Sequence, residues 1–259
     1  MKKMILATAV AASLVTSFAR AEDAAPPPPD NQVTYNAGVV SDYRYRGLTQ
    51  TRFDPAVQAG IDYTNNPTGF YLGTWASTIK WIKDAVGSKG RGPAEWDLYG
   101  GKRGDLGAGF TYDVGTLGYI YLDNNYDQLG ANANTLEVYG QVGYGPVYVK
   151  YSQALSTLFG ADGSKYSQYY DAGGNFDTFY GVTLGVHLGR QQVRGPSANT
   201  SYTDWKIGLS KTFDDLAGIT LGVAYVGTNL KDGVETTPVS DGAKNVGKGG
   251  VVVSLIKNF

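Results

Sequence analysis

The sequence has no cysteine and one histidine, His187. Without thiols there is no disulfide frame and no thiolate metal site. A lone histidine leaves any Ser-His-Asp arrangement or His metal cluster short of partners that only the fold could bring. No Walker A, H-E-x-x-H or dinucleotide motif is present. "DNNYDQ" (Asp123 to Gln128) lacks the spacing and the distal Glu of a calcium loop and reads as an exposed loop. Beyond the N-terminal segment no run reaches the length of apolar residues a membrane helix requires. Charge is sparse at 17% and nearly balanced, with no basic cluster to suggest a nucleic-acid partner. No cofactor and no metal are expected. With no disulfide, stability must come from the sheet itself, a metal, or the membrane.

Glycine and tyrosine are abundant, at 36 and 20 residues, and tyrosine outnumbers Phe and Trp together. Glycine disfavours helix and tyrosine favours strand. The composition therefore points to an all-β protein.

The first residues read as a segment for export. Lys2 and Lys3 precede a mostly apolar run from Met4 to Phe18, and Ala19-Arg20-Ala21 offers a cleavage site. Residues 1–21 are expected to be a signal peptide; the run is short and too rich in Ala, Ser and Thr for an anchor helix. Residues 22–32, with "AAPPPPD", are expected to be a flexible proline-rich tether.

From Val33 onward the pattern alternates with period two, the strand signature. Val57, Ala59, Ile61 and Tyr63 oppose Gln58, Gly60, Asp62 and Thr64; Trp96 and Leu98 oppose Glu95, Asp97 and Arg103. The alternation continues through Leu136–Tyr144, Val147–Ser152, Val182–Leu188, Tyr202–Phe213, Ile219–Tyr225 and Val251–Phe259. Phe110 to Leu122 reads as one strand, or as two broken near Gly115. Ser156 to Tyr180 reads mostly as loop, with a short strand at Tyr166–Tyr170. About twelve strands of roughly ten residues result, joined alternately by tight turns and longer loops. This predicts residues 33–259 to be a transmembrane antiparallel up-and-down β-barrel. A secreted β-sandwich or lipocalin-like barrel would show the same alternation. The membrane reading is favoured because the pattern fills the chain, aromatics gather near strand ends, and the last strand ends in an aromatic.

"SDYRYRG" (Ser41 to Gly47) is expected to continue the first strand, with Tyr43 and Tyr45 facing lipid and Asp42, Arg44 and Arg46 facing the lumen. An Arg facing lipid at mid-bilayer costs about 2–4 kcal/mol. The same parity rule places Asp62, Glu95, Asp97, Arg103, Glu137, Lys150, His187, Asp204 and Lys206 inside. It leaves Trp75, Trp81, Tyr144, Trp205, Phe213 and Phe259, with the two tyrosines, as aromatics at the membrane interface. His187 is expected to be a polar wall residue rather than a catalyst. Twelve strands lie between the filled eight-stranded barrel and the open porin of sixteen or more. A narrow lumen is expected, with acids and bases nearly balanced.

These blocks also resemble a known family. "VSDYRYRGLTQT", "DPAVQAGIDYT" and "GFYLGTWAS", followed by "EWDLYGG", "YTDWKIGLSKTF" and the terminal "VVVSLIKNF", are similar to the TorF-type porin family of proteobacteria, also known as Gcw_chp. The resemblance covers nearly all of Val33 to Phe259 and implies an outer-membrane barrel of porin type in a Gram-negative cell. It brings no established substrate and no catalytic residues. The expected partners are the lipid bilayer, small hydrophilic solutes and, through the C-terminal strand, the barrel-assembly machinery. The expected function is passive diffusion. A non-conducting barrel with a structural or ligand-binding role is the alternative, and an outer-membrane enzyme using His187 a remote one.

Overall fold

A computed structural model describes residues 28–230 and 245–259. The signal peptide and most of the proline-rich tether lie outside the described residues. The described residues form fourteen strands in order: β1 (Asn31–Val40), β2 (Arg44–Tyr45), β3 (Leu48–Thr49), β4 (Ala56–Asn65), β5 (Phe70–Thr78), β6 (Ala94–Gly107), β7 (Phe110–Tyr121), β8 (Thr135–Tyr144), β9 (Val147–Ala154), β10 (Gln168–Asp177), β11 (Val182–Gln192), β12 (Tyr202–Phe213), β13 (Ile219–Thr228) and β14 (Gly250–Asn258). All but β2 and β3 close into one antiparallel barrel in which each strand pairs with its sequence neighbour and β14 returns to β1. The fold is thus the twelve-strand up-and-down transmembrane barrel. No helix among the described residues is long and apolar enough to cross a membrane, which says nothing of a barrel.

Every barrel strand is amphipathic in the inverted sense. Val57, Leu72 and Val251 are 61%, 64% and 63% exposed, while Asp97 and Asp204 are 0% and 1% exposed. A water-soluble domain does not leave so continuous an apolar belt bare. A membrane barrel requires it, because closure satisfies every backbone amide and lipid covers the belt.

The two ends of the barrel differ. At one end the connections are tight. Gly107 to Phe110 turns through Ala108 and Gly109, both at positive φ (51° and 85°), the backbone a two-residue hairpin loop demands. The first and last described residues lie at this end, since Asn31 pairs with Asn65 and Asn36 with Asn258. At the other end the connections are long, and one carries the six-residue helix α1 (Trp81–Val86).

The abundance of Gly and Tyr has a common cause inside the barrel. Inward glycines leave room for a tyrosine on the next strand to lie flat against the wall. A Cβ on Gly73 would meet the Tyr99 ring at 2.4 Å, and one on Gly115 would meet the Tyr139 hydroxyl at 2.6 Å. The glycine is the seat of the tyrosine, as in aromatic cover of strand glycines.

Of the two readings of Phe110 to Leu122, the single strand holds, with no break at Gly115. Other expectations need correction. Residues 168–177, expected to be largely loop, form a full wall strand, β10; Gly173, Gly174 and two polar residues had obscured its alternation. Most consequential, the first strand ends at Val40, and Ser41–Pro55 is not wall.

Candidate functional site

Ser41–Pro55 folds into the mouth of the barrel at the long-loop end and crosses it. Its two-residue strands β2 and β3 form a small hairpin, closed by Arg46 and Gly47 at positive φ (45° and 79°). Asp42 ties the base of the segment by accepting from Arg44, Thr49 and Thr51. Arg46, at the tip, reaches the far wall. Its guanidinium donates to both carboxylate oxygens of Glu137 on β8, at 3.0 and 2.7 Å, and to Gln191 on β11 at 2.8 Å. It also lies 4.1 Å from the ring centre of Tyr169 on β10. Such a forked, charge-assisted pair fixes orientation as well as distance. Tyr43 donates to Glu95 at 2.5 Å, and the Tyr45 and Tyr119 hydroxyls pair at 2.6 Å. Burial, helped at Tyr43 by the neighbouring Glu95 carboxylate, pushes both phenols well above their usual range, so they serve as neutral hydrogen-bonding groups.

Three of the long connections, β5–β6, β7–β8 and β9–β10, meet over this segment. Trp81 from α1 packs edge-on against Tyr121, Tyr126 and Phe159, and Phe159 also meets Tyr45 and Tyr119. Arg52 pairs with Asp84 at 3.3 Å. The result is an aromatic cap over a polar strap.

Tyr43, Tyr45, Trp75 and Trp81 are therefore not at the lipid interface, contrary to the sequence expectation. Tyr43 and Trp75 are each 2% exposed and stack edge-on inside the mouth. Parity failed for "SDYRYRG" because a hairpin seated in a lumen buries both its faces. Tyr144, Trp205, Phe213 and Phe259 do point outward, the Tyr144 ring tilted against Phe110 with centres 4.7 Å apart. Lys257, a break in the apolar pattern, sits at the strand end with its ammonium 4.9 Å from the Phe259 ring centre.

The side chains of Asp62, Glu95, Asp97, Arg103, Glu137, Lys150, His187, Asp204 and Lys206 all lie on inward positions of the wall. Two inward acids escaped the sequence reading: Asp113, which accepts from Tyr71 at 2.6 Å, and Asp171. Asp171 lay in the stretch read as loop; Asp113 shares its parity with the apolar Leu117. With them, acids outnumber bases in the lumen, where a near balance was expected. Asp171 and Asp204 hold His187 between them, Asp171 at 2.9 Å from Nδ1 and Asp204 at 2.7 Å from Nε2. Glu95 accepts from Tyr43 and Tyr121. Asp97, beside it, is fully buried, and neither of its oxygens has a hydrogen-bond partner among the described residues. An unpaired buried carboxylate is a liability that an apolar side chain of like volume removes. Asp97→Leu is expected to raise the urea midpoint, by about 1–4 kcal/mol in unfolding free energy; a lower midpoint would show that Asp97 supports the wall.

Beneath the strap lies a cavity of about 230 Å³. It is lined from β8–β12 by Glu137, Lys150, Asp171, His187, Asp204 and Lys206, from β1, β13 and β14 by Val40, Ala224, Val226 and Val252, and above by Arg44 and Arg46. No group of residues that could hold a metal ion occurs among the described residues.

A closed barrel with an apolar outside and a polar inside is the architecture of a transmembrane β-barrel. The chain belongs to the Gcw_chp family, bacterial proteins of unknown function, whose family model matches residues 23–259. No curated protein matches it in sequence. Among solved structures it is similar to the KdgM porin in complex with disordered oligogalacturonate, at 9% identity and a TM-score of 0.50, covering 88% of this chain and 97% of that one. It is likewise similar to the NanC porin, at 9% identity and a TM-score of 0.50, covering 87% and 98%. Likeness at this identity establishes the architecture alone.

Proposed function

We propose that the protein is a porin-like channel of the outer membrane, as the TorF-type resemblance implies, through which small hydrophilic solutes diffuse passively. One observation carries the reading: a closed barrel whose polar lumen retains a cavity, narrowed at one mouth by the Ser41–Pro55 strap. A ring of charges and hydroxyls at a constriction selects solutes by size and field. Arg46 and Glu137, with Asp42 and Arg44 at the base of the strap, define the narrow end; the Asp62–Tyr99 and Asp113–Tyr71 hydrogen bonds line the path toward the short turns. In this reading residues 1–21 direct export, 22–32 form a tether, the outward aromatics meet the membrane interface, and the C-terminal strand engages the barrel-assembly machinery.

The span of the Arg46 contacts favours a second reading, a barrel that does not conduct because its strap is a plug. Catalysis has no comparable support. A general base needs a free ring nitrogen, and both nitrogens of His187 are held by carboxylates.

Liposome swelling tests the channel. Vesicles containing the refolded protein are expected to admit small neutral sugars and to exclude large oligosaccharides. Uniform exclusion by folded protein would favour the plug, and uniform admission would contradict a narrow lumen.

A further inference from the structure

The lumen is two-sided. From β13 through β14 to β1 the inward positions carry no charge at all: Gly222, Ala224 and Val226 are followed across the wall by Val252, Ser254 and Ile256, and then by Asn36, Gly38 and Val40. The facing strands carry the acids, bases and tyrosines. A porin serving only inorganic ions or sugars has no need of such a wall, and valines bared to a polar lumen cost hydration free energy.

The hydrogen-bonding state of the charged side is uneven. The carboxylates of the cavity are all engaged: Asp42 by Arg44, Glu137 by Arg46, Asp171 and Asp204 by His187. Tyr169 adds a second donor to Asp204 at 3.0 Å. Lys150 and Lys206 make no hydrogen bond and no ion pair within 4 Å among the described residues, although Asp113, Asp171 and Glu137 attract Lys150 and Asp171 and Asp204 attract Lys206 from farther off. The Lys150 ammonium rests 4.0 Å from the Tyr139 ring centre. Lys206 is in register with Val226 on one side and His187 on the other, so it stands at the seam of the uncharged wall. The acids in excess, Asp62, Glu95, Asp97 and Asp113, do not line this cavity. Among the charged groups of the cavity, the donors left without a hydrogen bond are the two lysines, and they stand beside an apolar surface. Its 230 Å³ exceeds the roughly 150 Å³ that suffices for a benzene-sized guest.

We propose that this cavity is a transit site for small organic carboxylates with an apolar body. The body would lie on Val40, Ala224 and Val252, and the carboxylate would accept from Lys206 and Lys150. This rests on the channel reading and names its solute class.

Benzoate is the probe. Calorimetric titration of the refolded full-length barrel in detergent is expected to show benzoate binding, more tightly than acetate, with no binding of benzylamine. Lys150→Met with Lys206→Met should weaken benzoate about tenfold or more, the order of two lost charge-assisted hydrogen bonds. Lys206→Arg, which keeps the charge, should retain binding, and Val252→Asn should erase the advantage of benzoate over acetate. Resistance to SDS until boiling reports that each variant is folded. Benzylamine binding as well as benzoate, no benzoate binding at millimolar concentration, or an unaltered double-lysine variant would each overturn the proposal. A barrel that conducts in a bilayer but ignores benzoate refutes the site and leaves the channel. One that binds benzoate but never conducts refutes the channel and leaves the site.

Discussion

Replacing Asp42–Phe53 by a short Gly-Ser linker is expected to raise single-channel conductance several-fold while leaving the barrel folded. The segment lies across the lumen and contributes no wall strand, so its removal clears that mouth without breaking any ladder hydrogen bond between barrel strands. Arg46→Ala should produce part of the same increase, because Arg46 alone fastens the tip to β8 and β11. Glu137→Ala should be worse for stability than Arg46→Ala. Breaking a buried pair from one side costs about 3–5 kcal/mol, and of the two stranded groups, 7% and 3% exposed, the carboxylate can take up a proton while the guanidinium keeps its charge. The double variant should recover much of that loss, which makes the coupling measurable by a mutant cycle. Conductance unchanged by the linker would mean that the strap does not set the constriction.

The second large effect concerns stability at the opposite end. Gly69 closes the turn between β4 and β5 at φ +76°, and a Cβ there would stand 1.9 Å from the backbone oxygen of Arg103. That oxygen belongs to the neighbouring strand β6, whose Arg103 amide bonds back to Gly69 at 3.0 Å. The left-handed backbone alone costs an L-residue roughly 1–2 kcal/mol. The clash adds displacement of a strand, so Gly69→Ala is expected to cost at least about 3 kcal/mol, near the top of the usual range for one substitution. Gly145 is the control. It too has positive φ, +54°, but its missing Cβ would touch nothing within 4 Å. Gly145→Ala should lose only the backbone term. Urea titration followed by gel mobility separates the two; equal losses would remove the role assigned to the Gly69–Arg103 contact.

The wall of the barrel was legible because lipid enforces period two. Any strand facing hydrocarbon must show it, and β4, β6, β8, β9 and β12 did. Strand β10 hid because Ala172, Gly173 and Gly174 supply no hydrophobic contrast. The strap hid for a deeper reason. "DYRYR" has perfect alternation, yet Tyr43 and Arg46 both end in the lumen, the phenol on Glu95 and the guanidinium on Glu137. Alternation reports that two faces differ, not that one meets lipid. A signal was present in Gly47, Asp54 and Pro55, which bracket a turn too short for two full strands. Trp75 misled in the same way: its neighbours Leu72 and Phe70 face out, and its register partner Asp97 faces in. The charged wall residues could be assigned by parity, but their partners could not, since Asp171, His187 and Asp204 come from three strands.

An open channel narrowed by an inward strap should show itself in single-channel recording of the refolded protein in a planar bilayer. Discrete steps are expected at low voltage, smaller than those of the barrel whose Asp42–Phe53 segment is replaced. Silence from both proteins, each shown to be folded by its resistance to SDS before boiling, would contradict an open channel.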